Sequence, residues 1–328
     1  MNENLGLIVS LLPGVRVTEK IQLLLSIKNE EDLFLQTKSG IEEILGRRLQ
    51  NFWDISEIND KAGRIDTMCR MRSVKWVSWP NEDYPPLLRE IYDPPSVLYY
   101  RGVLPNPEKP LLAMVGTRKP SRDACEQAYK IAANAARAGI SVISGLALGI
   151  DAMSHRGSLI ANVPGYAVLG SGIDEVYPSA NRSLAKRIIN SGGALISEYP
   201  PGFPPSKWSF PARNRIISGL SRSVLIVEAP EKSGALITAS FALEHGKELW
   251  VASQGIQDGP YDRGGTKKLA NDGAEIIYSA CDIIEKWNLN NVNDDGKNYK
   301  GDNNDNTAAI NSREGLVSSM ADLLKIEI

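Results

Sequence analysis

The spacing of apolar residues changes once along the chain, near residue 106. Before that point, apolar residues recur every three or four positions in the segments 5–12, 18–27, 31–35 and 41–51, which is typical of helices that bury one face. After it, short and almost wholly apolar runs alternate with amphipathic stretches. We therefore predict a small all-helical module at 1–75, followed by an α/β domain at 106–287.

Six apolar runs in the second part have the length and composition of strands that are buried on both faces. They are 111–115, 141–144, 166–169, 194–197, 224–228 and 248–252. A helical pattern at 122–138 lies between the first two, and we expect Ser179 and Ser233 to cap two later helices. Because strand–helix–strand repeats build parallel sheets, the predicted fold is an extended, Rossmann-like, doubly wound and mostly parallel sheet.

The segments on either side of this domain have a different composition. Residues 76–105 are rich in Pro and Tyr, which predicts a connector with one short strand at 97–100. Residues 288–328 begin with a stretch of Asn, Asp, Gly and Lys that cannot bury enough apolar surface to fold alone. We interpret them as a polar linker and a short C-terminal segment.

The helical module contains the turn Leu12-Pro-Gly-Val15, which resembles the turn of a helix–hairpin–helix or sterile-alpha-motif module. Such turns can hold a DNA backbone. A module that serves only for packing is the alternative that we favour, because a fold alone does not specify a function.

Composition is that of a soluble globular protein, with 42% hydrophobic and 23% charged residues among 328. The apolar runs are far too short to span a membrane, and residues 1–12 do not resemble a secretory signal. Cys69, Cys125 and Cys281 are widely spaced, which argues against a zinc site or a disulfide framework. We expect a cytoplasmic protein without a metal or cofactor.

The net charge of −2 conceals an uneven distribution. Residues 288–328 contain seven acidic and four basic residues, so the rest of the chain carries +1. A chain without an overall basic charge can bind nucleic acid only through a local patch.

The turns that follow the predicted strands hold the candidate chemistry, because ligands of parallel sheets bind beyond the carboxyl ends of the strands. The first turn is Gly116-Thr117-Arg118, which combines a glycine for close approach, a hydroxyl and a guanidinium suited to phosphate. The second begins with Ser144 and Gly145 and leads into a helix. We expect its backbone N–H groups to be unpaired and to form an anion site. The alternative is an ordinary turn whose glycines only let the chain reverse. We expect Asp151 to cap that helix or to brace Arg118.

The turn after the fourth predicted strand interleaves cations with aromatic residues. They are Lys207, Trp208, Phe210, Arg213 and Arg215. Single-stranded nucleic acid is bound by this combination of backbone electrostatics and base stacking. Packing within the loop is the alternative role of Trp208 and Phe210. The sequence contains no nucleophile–base pair and no P-loop motif, so it indicates binding and no catalytic residues.

Several motifs resemble, in order, those of the DprA/Smf DNA-processing family. They are 144–151, 170–174 with Tyr177-Pro178 and Asn181, 210–221, and 227–239. The resemblance extends over about 80–280. It implies a protein that is not an enzyme, binds single-stranded DNA, usually forms a dimer, and loads a RecA-type recombinase during natural transformation.

The resemblance also implies a set of DNA-binding residues, with the Phe210 ring stacked on a base. They are Gly116, Thr117, Arg118, Ser144, Gly145, Lys207, Phe210, Arg213 and Asn214. The chain departs from the family pattern at Thr117, where Ser is more common, and at 251–255. The segment after 287 is too short for the winged-helix domain that some members carry.

Two other functions remain open on the same fold. A phosphoribohydrolase-like enzyme would need an acid for N-glycosidic chemistry, and Glu198 or Glu228 could serve, although the Pro-Gly-Gly-x-Gly-Thr signature of those enzymes is absent. A sensor of small nucleotides would use the phosphate-binding turns without chemistry.

Overall fold

Among the described residues, five helices form the N-terminal part of the protein. The computed structural model describes residues 3–50, 53–161 and 163–289. The helices are α1 (Glu3–Ser10), α2 (Val17–Ser26), α3 (Glu30–Phe34), α4 (Lys38–Leu45) and α5 (Ile55–Met71). The side chains of Asn29, Thr37 and Asp54 cap α3, α4 and α5 by accepting hydrogen bonds from backbone N–H groups. The prediction of a helical beginning is confirmed.

The fourth of these helices is shorter than its apolar pattern suggests. We predicted helix over 41–51, but α4 ends at Leu45, where Gly46 adopts a left-handed backbone with φ of 66°. A glycine in this conformation is the usual end of a helix. The Arg47 side chain then turns back to pair with Glu19 at 2.6 Å.

In the part of the chain that the structure describes, nine strands form one mixed sheet in the order β1-β2-β6-β5-β4-β3-β7-β8-β9. The strands are β1 (Lys75–Ser78), β2 (Val97–Gly102), β3 (Leu111–Val115), β4 (Ser141–Ser144), β5 (Tyr166–Leu169), β6 (Ala194–Ser197), β7 (Ser223–Ile226), β8 (Glu248–Ala252) and β9 (Glu275–Ile277). β1 and β2 are antiparallel to their neighbours, and the other pairs are parallel. The predicted mostly parallel α/β sheet is confirmed.

Helices occupy the connections between the strands. They are α6 (Pro86–Arg89), α7 (Arg122–Arg137), α8 (Ile150–Ser158), α9 (Arg182–Asn190), α10 (Ser209–Leu220), α11 (Gly234–Glu244), α12 (Gly264–Asn271) and α13 (Ala280–Lys286). Ser233 caps α11 as predicted. The prediction for Ser179 was wrong, because Ser179 begins a short 3-10 turn and α9 starts only at Arg182.

Residues 76–105 contribute more to the sheet than the sequence suggested. The predicted strand at 97–100 is present as β2, and most of β1 and all of α6 also fall in this segment. β2 pairs with β6, and Leu98 and Tyr99 on it are buried. The proposed domain boundaries remain a prediction. The linker and C-terminal segment lie outside the described residues from position 290 onward.

The order of the strands places a crevice at the carboxyl ends of β3 and β7. The chain runs from β3 through α7 to β4 on one side, and β7 pairs with β3 on the other. Ligands of doubly wound sheets bind where the strand order reverses in this way. Apolar clusters cover both faces of the sheet, one of them shared with the N-terminal helices. Within the described part of the chain, no helix has the length and hydropathy of a membrane span.

Candidate nucleic-acid interface

A cleft of about 790 Å³ opens at this crevice. The turn after β3, the beginning of α10 and the segment from β7 to α11 form its walls. Four basic residues line it and are exposed. We call Arg118, Lys119, Lys207 and Lys232 the rim cations.

None of the rim cations uses its side chain for an ion pair or hydrogen bond with the described residues. Among the acidic residues that line the cleft, only Asp262 is exposed, and its carboxylate accepts a hydrogen bond from the Gly264 N–H. The cleft therefore presents positive charge to solvent, as a phosphate-binding surface requires.

Phe210 lies half-buried in the cleft, close to both a ring and a cation. Its ring centroid is 5.4 Å from that of Tyr177, and the Arg118 guanidinium lies 5.9 Å from the Phe210 centroid. Gly170 makes room for the ring, because a Cβ at that position would be 2.7 Å from Phe210. Tyr177 is 48% exposed. The sequence places Tyr177 in a motif but gives no signal of its position beside Phe210.

The Gly116-Thr117-Arg118 turn approaches other backbone very closely. A Cβ on Gly116 would be 2.6 Å from Ile150 and 2.9 Å from the Glu228 carbonyl oxygen. The Thr117 N–H donates to that same carbonyl at 2.7 Å. Gly116 and Thr117 thus hold the turn after β3 against the residues that follow β7 and against the start of α8. Arg118 is the residue of the three that extends a charged side chain into the cleft.

The expectation of unpaired N–H groups after β4 was wrong. Asp151 accepts hydrogen bonds from the N–H groups of Gly145 at 3.1 Å and Ala147 at 3.3 Å, so the protein's own carboxylate occupies this anion site. Ser144 is fully buried and its hydroxyl donates to Met114. Asp151 does not cap α8, because the cap position is Gly149. Its carboxylate binds the turn after β4 and makes no ion pair with Arg118 within the described residues.

Arg213 also lines the cleft, but its side chain is buried and hydrogen-bonded to other residues of the protein. Its guanidinium donates to the carbonyl oxygens of Gly145, at 2.8 Å, and Val168. Burial, together with nearby Arg118, lowers the pKa of Arg213 to about 10, while Asp151 opposes this shift. Burial also raises the pKa of Asp151. Arg213 thus lines the cleft, as the resemblance implies, and its guanidinium also ties the ends of β4 and β5 together. Its role in DNA binding remains a prediction.

Asn214, the next residue, links two helices at the edge of the cleft. Its side-chain amide donates to the Gly234 carbonyl at 3.1 Å and its oxygen accepts from Arg213 at 3.0 Å. Its polar groups thus join α10 to the start of α11.

Arg215 and the two candidate acids of the enzyme hypothesis form internal ion pairs. Arg215 is 4% exposed and pairs with Glu198 at 2.6 Å and Asp93 at 2.9 Å. Glu228 is 1% exposed and pairs with Arg263 at 2.6 Å. We call Arg213, Arg215 and Arg263 the buried arginines.

Trp208 and the histidines lie outside the cleft. Trp208 is 60% exposed and packs against Tyr199 and Phe203.

His155 is completely buried on α8, and neither of its ring nitrogens is hydrogen-bonded to the described residues. Burial and, to a smaller extent, the charge of Arg213 lower the pKa of His155 to about 3. His245 is the C-cap residue of α11. Across residues 3–50, 53–161 and 163–289, no group of His, Cys, Asp or Glu forms a metal site.

Comparison with known proteins places the chain among DNA-processing proteins. Residues 75–288 match the family model of DNA recombination-mediator protein A. Protein Smf from Synechocystis sp. is 38% identical over 268 residues, which is 79% of this chain and 63% of that relative. The chain thus spans less than two thirds of the length of this relative.

Two solved structures have the same fold. The DNA processing protein A from Streptococcus pneumoniae superimposes with a TM-score of 0.69 at 30% identity, over 87% of this chain and 99% of that one. The DNA processing protein A from Helicobacter pylori, whose structure was solved to explain how that protein binds single-stranded DNA, gives a TM-score of 0.57 at 29% identity. That match covers 65% of this chain and 95% of the other.

Proposed function

The chain belongs to the DNA recombination-mediator protein A family, and on that premise we propose that it binds single-stranded DNA in the cleft and loads a RecA-type recombinase onto it. The observation that carries the proposal is the unpaired state of the rim cations around the Phe210 ring. Phosphate groups supply the negatively charged partners that these side chains lack, and a base supplies a stacking partner for the Phe210 ring.

The shape of the cleft favours a single strand over a duplex. Phe210 lies half-buried between its walls, next to Tyr177. A base can reach a recessed ring only when it is unstacked from its neighbours, as it is in a single strand. Arg118 lies over the same ring, and its guanidinium can bind a phosphate with two parallel hydrogen bonds.

The role that we propose is binding rather than catalysis. Glu228 accepts from Arg263 and from the Ser121 N–H, both at 2.6 Å, and Glu198 accepts from Arg215. An acid bound in this way is poorly placed to exchange a proton with a substrate. We further propose, from the family resemblance, that the protein acts in the cytoplasm as a homodimer during natural transformation.

A fluorescence titration with labelled oligo-dT tests the binding proposal. We expect tight binding to the single strand, weaker binding to the duplex, and little competition from mononucleotides. Arg118→Ala and Phe210→Ala should each weaken binding about tenfold, since one phosphate contact or one stacked base contributes about 1–3 kcal/mol.

Two other results would contradict the proposal. Equal binding by the wild type and both variants would remove the cleft as the DNA site. Release of free base from a nucleoside monophosphate by the wild type, abolished in Glu228→Gln, would favour the enzyme hypothesis. Light scattering with and without oligo-dT tests the homodimer, and strand exchange with a RecA-type recombinase tests the loading role.

A further inference from the structure

A second and larger groove adjoins the segment that leads into α10. It has a volume of about 1470 Å³ and lies between α5 and residues 198–204. Tyr199 and Phe203 line it on one side, and Lys61 and Arg64 of α5 line it on the other. The segment from β6 to α10 therefore borders two depressions, since Lys207 near its end lines the cleft already described.

Trp208 connects residues that line these two depressions. It follows Lys207 in the chain, and its indole meets the rings of Tyr199 at 5.7 Å and Phe203 at 5.9 Å. Both contacts are nearly perpendicular, at 83° and 80°, and Tyr199 and Phe203 stack on each other at 4.4 Å. Edge-to-face contacts of this kind hold a ring in a fixed orientation.

The indole is nevertheless mostly accessible, because Trp208 is 60% exposed. A large aromatic ring that is held in place and open to solvent resembles the stacking surfaces on which single-stranded nucleic acids lie. Trp208 and Phe210 are two residues apart at the start of α10. A strand that passes from one to the other would meet one ring on each side of this helix start.

The charge of the second groove suits the same ligand. Lys61 and Arg64 are exposed, and their side chains make no ion pair with the described residues. Of the carboxylates that line the groove, Glu198 is neutralised by Arg215 and Asp60 remains exposed. Two free cations against one free carboxylate leave a positive surface for a phosphate backbone.

We propose, on the basis of the proposed function, that the DNA strand leaves the cleft across Trp208 and continues along this second groove. Trp208 is then a second stacking surface, and Lys61 and Arg64 contact phosphates beyond it. Phe210 holds the strand in the cleft, whereas Trp208 engages only strands that are long enough to pass out of it.

A length series of oligo-dT tests this path. Affinity is measured for strands of about 4 to about 20 nucleotides, a range that spans the site sizes of single-strand binders. Trp208→Ala should weaken binding of the long strands about tenfold and leave the shortest bound strands unaffected. Phe210→Ala should weaken both. Trp208→Phe keeps an aromatic face and should restore most of the affinity.

Two further variants complete the design. Tyr278→Ala removes an aromatic residue that is 67% exposed and lines neither groove, so it should bind all lengths as the wild type does. Lys61→Ala combined with Arg64→Ala should lower the salt dependence of binding for long strands only, by about 0.7 per lost phosphate contact.

The outcomes separate this proposal from the proposed function. If Trp208→Ala binds every length as the wild type does, or if the double variant keeps its salt dependence on long strands, the second groove is not on the path. Normal weakening by Phe210→Ala in the same experiment would leave the cleft intact as the binding site. Failure of the wild type to bind any single strand would instead overturn the proposed function.

Discussion

The rim cations and the buried arginines occupy opposite environments around one cleft. The rim cations are exposed and have no charged partner among the described residues. The buried arginines are 4–5% exposed, and each donates to carboxylate or carbonyl oxygens of the protein. The sequence places members of both sets only a few residues apart, as with Lys207 and Arg213.

This difference has a physical origin in the cost of desolvation. A charge that leaves water loses several kcal/mol of hydration, which only a well-placed partner can replace. A charge that remains in water loses nothing and is free for a ligand. The buried arginines should therefore determine stability, and the rim cations should determine binding.

The largest effect is expected at Arg263. Arg263→Ala leaves the carboxylate of Glu228 buried without its partner, and we expect a loss of about 3–5 kcal/mol in the free energy of unfolding. Urea denaturation measures it, with Arg118→Ala as the matched control. In the double variant Arg263→Met with Glu228→Gln, the loss in the free energy of unfolding should be smaller than the sum of the losses in the single variants Arg263→Met and Glu228→Gln. A loss below about 1 kcal/mol in Arg263→Ala would contradict this assignment.

His155 should make stability depend on pH. Its pKa is lowered in the folded protein to about 3, so the folded state keeps it neutral while the unfolded state binds a proton below pH of about 6.5. Stability therefore falls as pH decreases, by about 2 kcal/mol between pH 7 and pH 5. Urea denaturation at both pH values should show this loss in the wild type and a correspondingly smaller one in His155→Leu. An equal loss in both proteins would show that His155 does not contribute.

Gly170→Ala should affect both properties moderately. The added Cβ would lie 2.7 Å from the Phe210 ring, and displacement of a half-buried ring should cost about 1 kcal/mol in stability. Because the ring moves, affinity for oligo-dT should fall about fivefold. If the effect acts through the ring, adding Gly170→Ala to Phe210→Ala should produce no further loss of affinity. A further fivefold loss would point to another cause.

The smallest effect on stability is expected at the rim. Arg118→Ala and Lys207→Ala remove exposed side chains without ion pairs, so each should change the free energy of unfolding by less than about 0.5 kcal/mol. Thermal denaturation checks this. A larger loss would mean that these residues support the fold, and the division between the two sets would not hold.

Much of the fold follows from local pattern. β3, β4, β5, β6 and β8 have the predicted bounds because short apolar runs buried on both faces are distinctive. The end of α4 was misplaced because its apolar spacing continues past Gly46. β9 and the pairing of β1 with β2 escaped prediction, since short strands at sheet edges leave little pattern.

The site was predictable in its residue types but not in their orientation. Arg118, Lys207 and Phe210 do lie together in the cleft. Arg213 and Arg215 belong to the same run of sequence, yet α10 turns both of them inward. The partners that bind them, Gly145 and Glu198, lie 68 and 17 residues away. No local signal reveals contacts over such distances. Asp151 differs, because its partners Gly145 and Ala147 lie only six and four residues before it. A carboxylate at the start of a helix is also typical of a helix cap, which is the role that we predicted.

The salt dependence of oligo-dT binding shows whether the rim cations contact phosphate groups. Affinity is measured across a salt series for the wild type, Arg118→Ala, Lys207→Ala and the control Lys130→Ala, whose exposed lysine pairs with Glu126 on α7. Affinity falls as salt rises, and we predict that this fall becomes less steep in each rim variant. The negative slope of log affinity against log salt should decrease in magnitude by about 0.7, the value for one phosphate contact with a single strand. The control should keep the wild-type slope. Wild-type slopes in both rim variants would contradict the account.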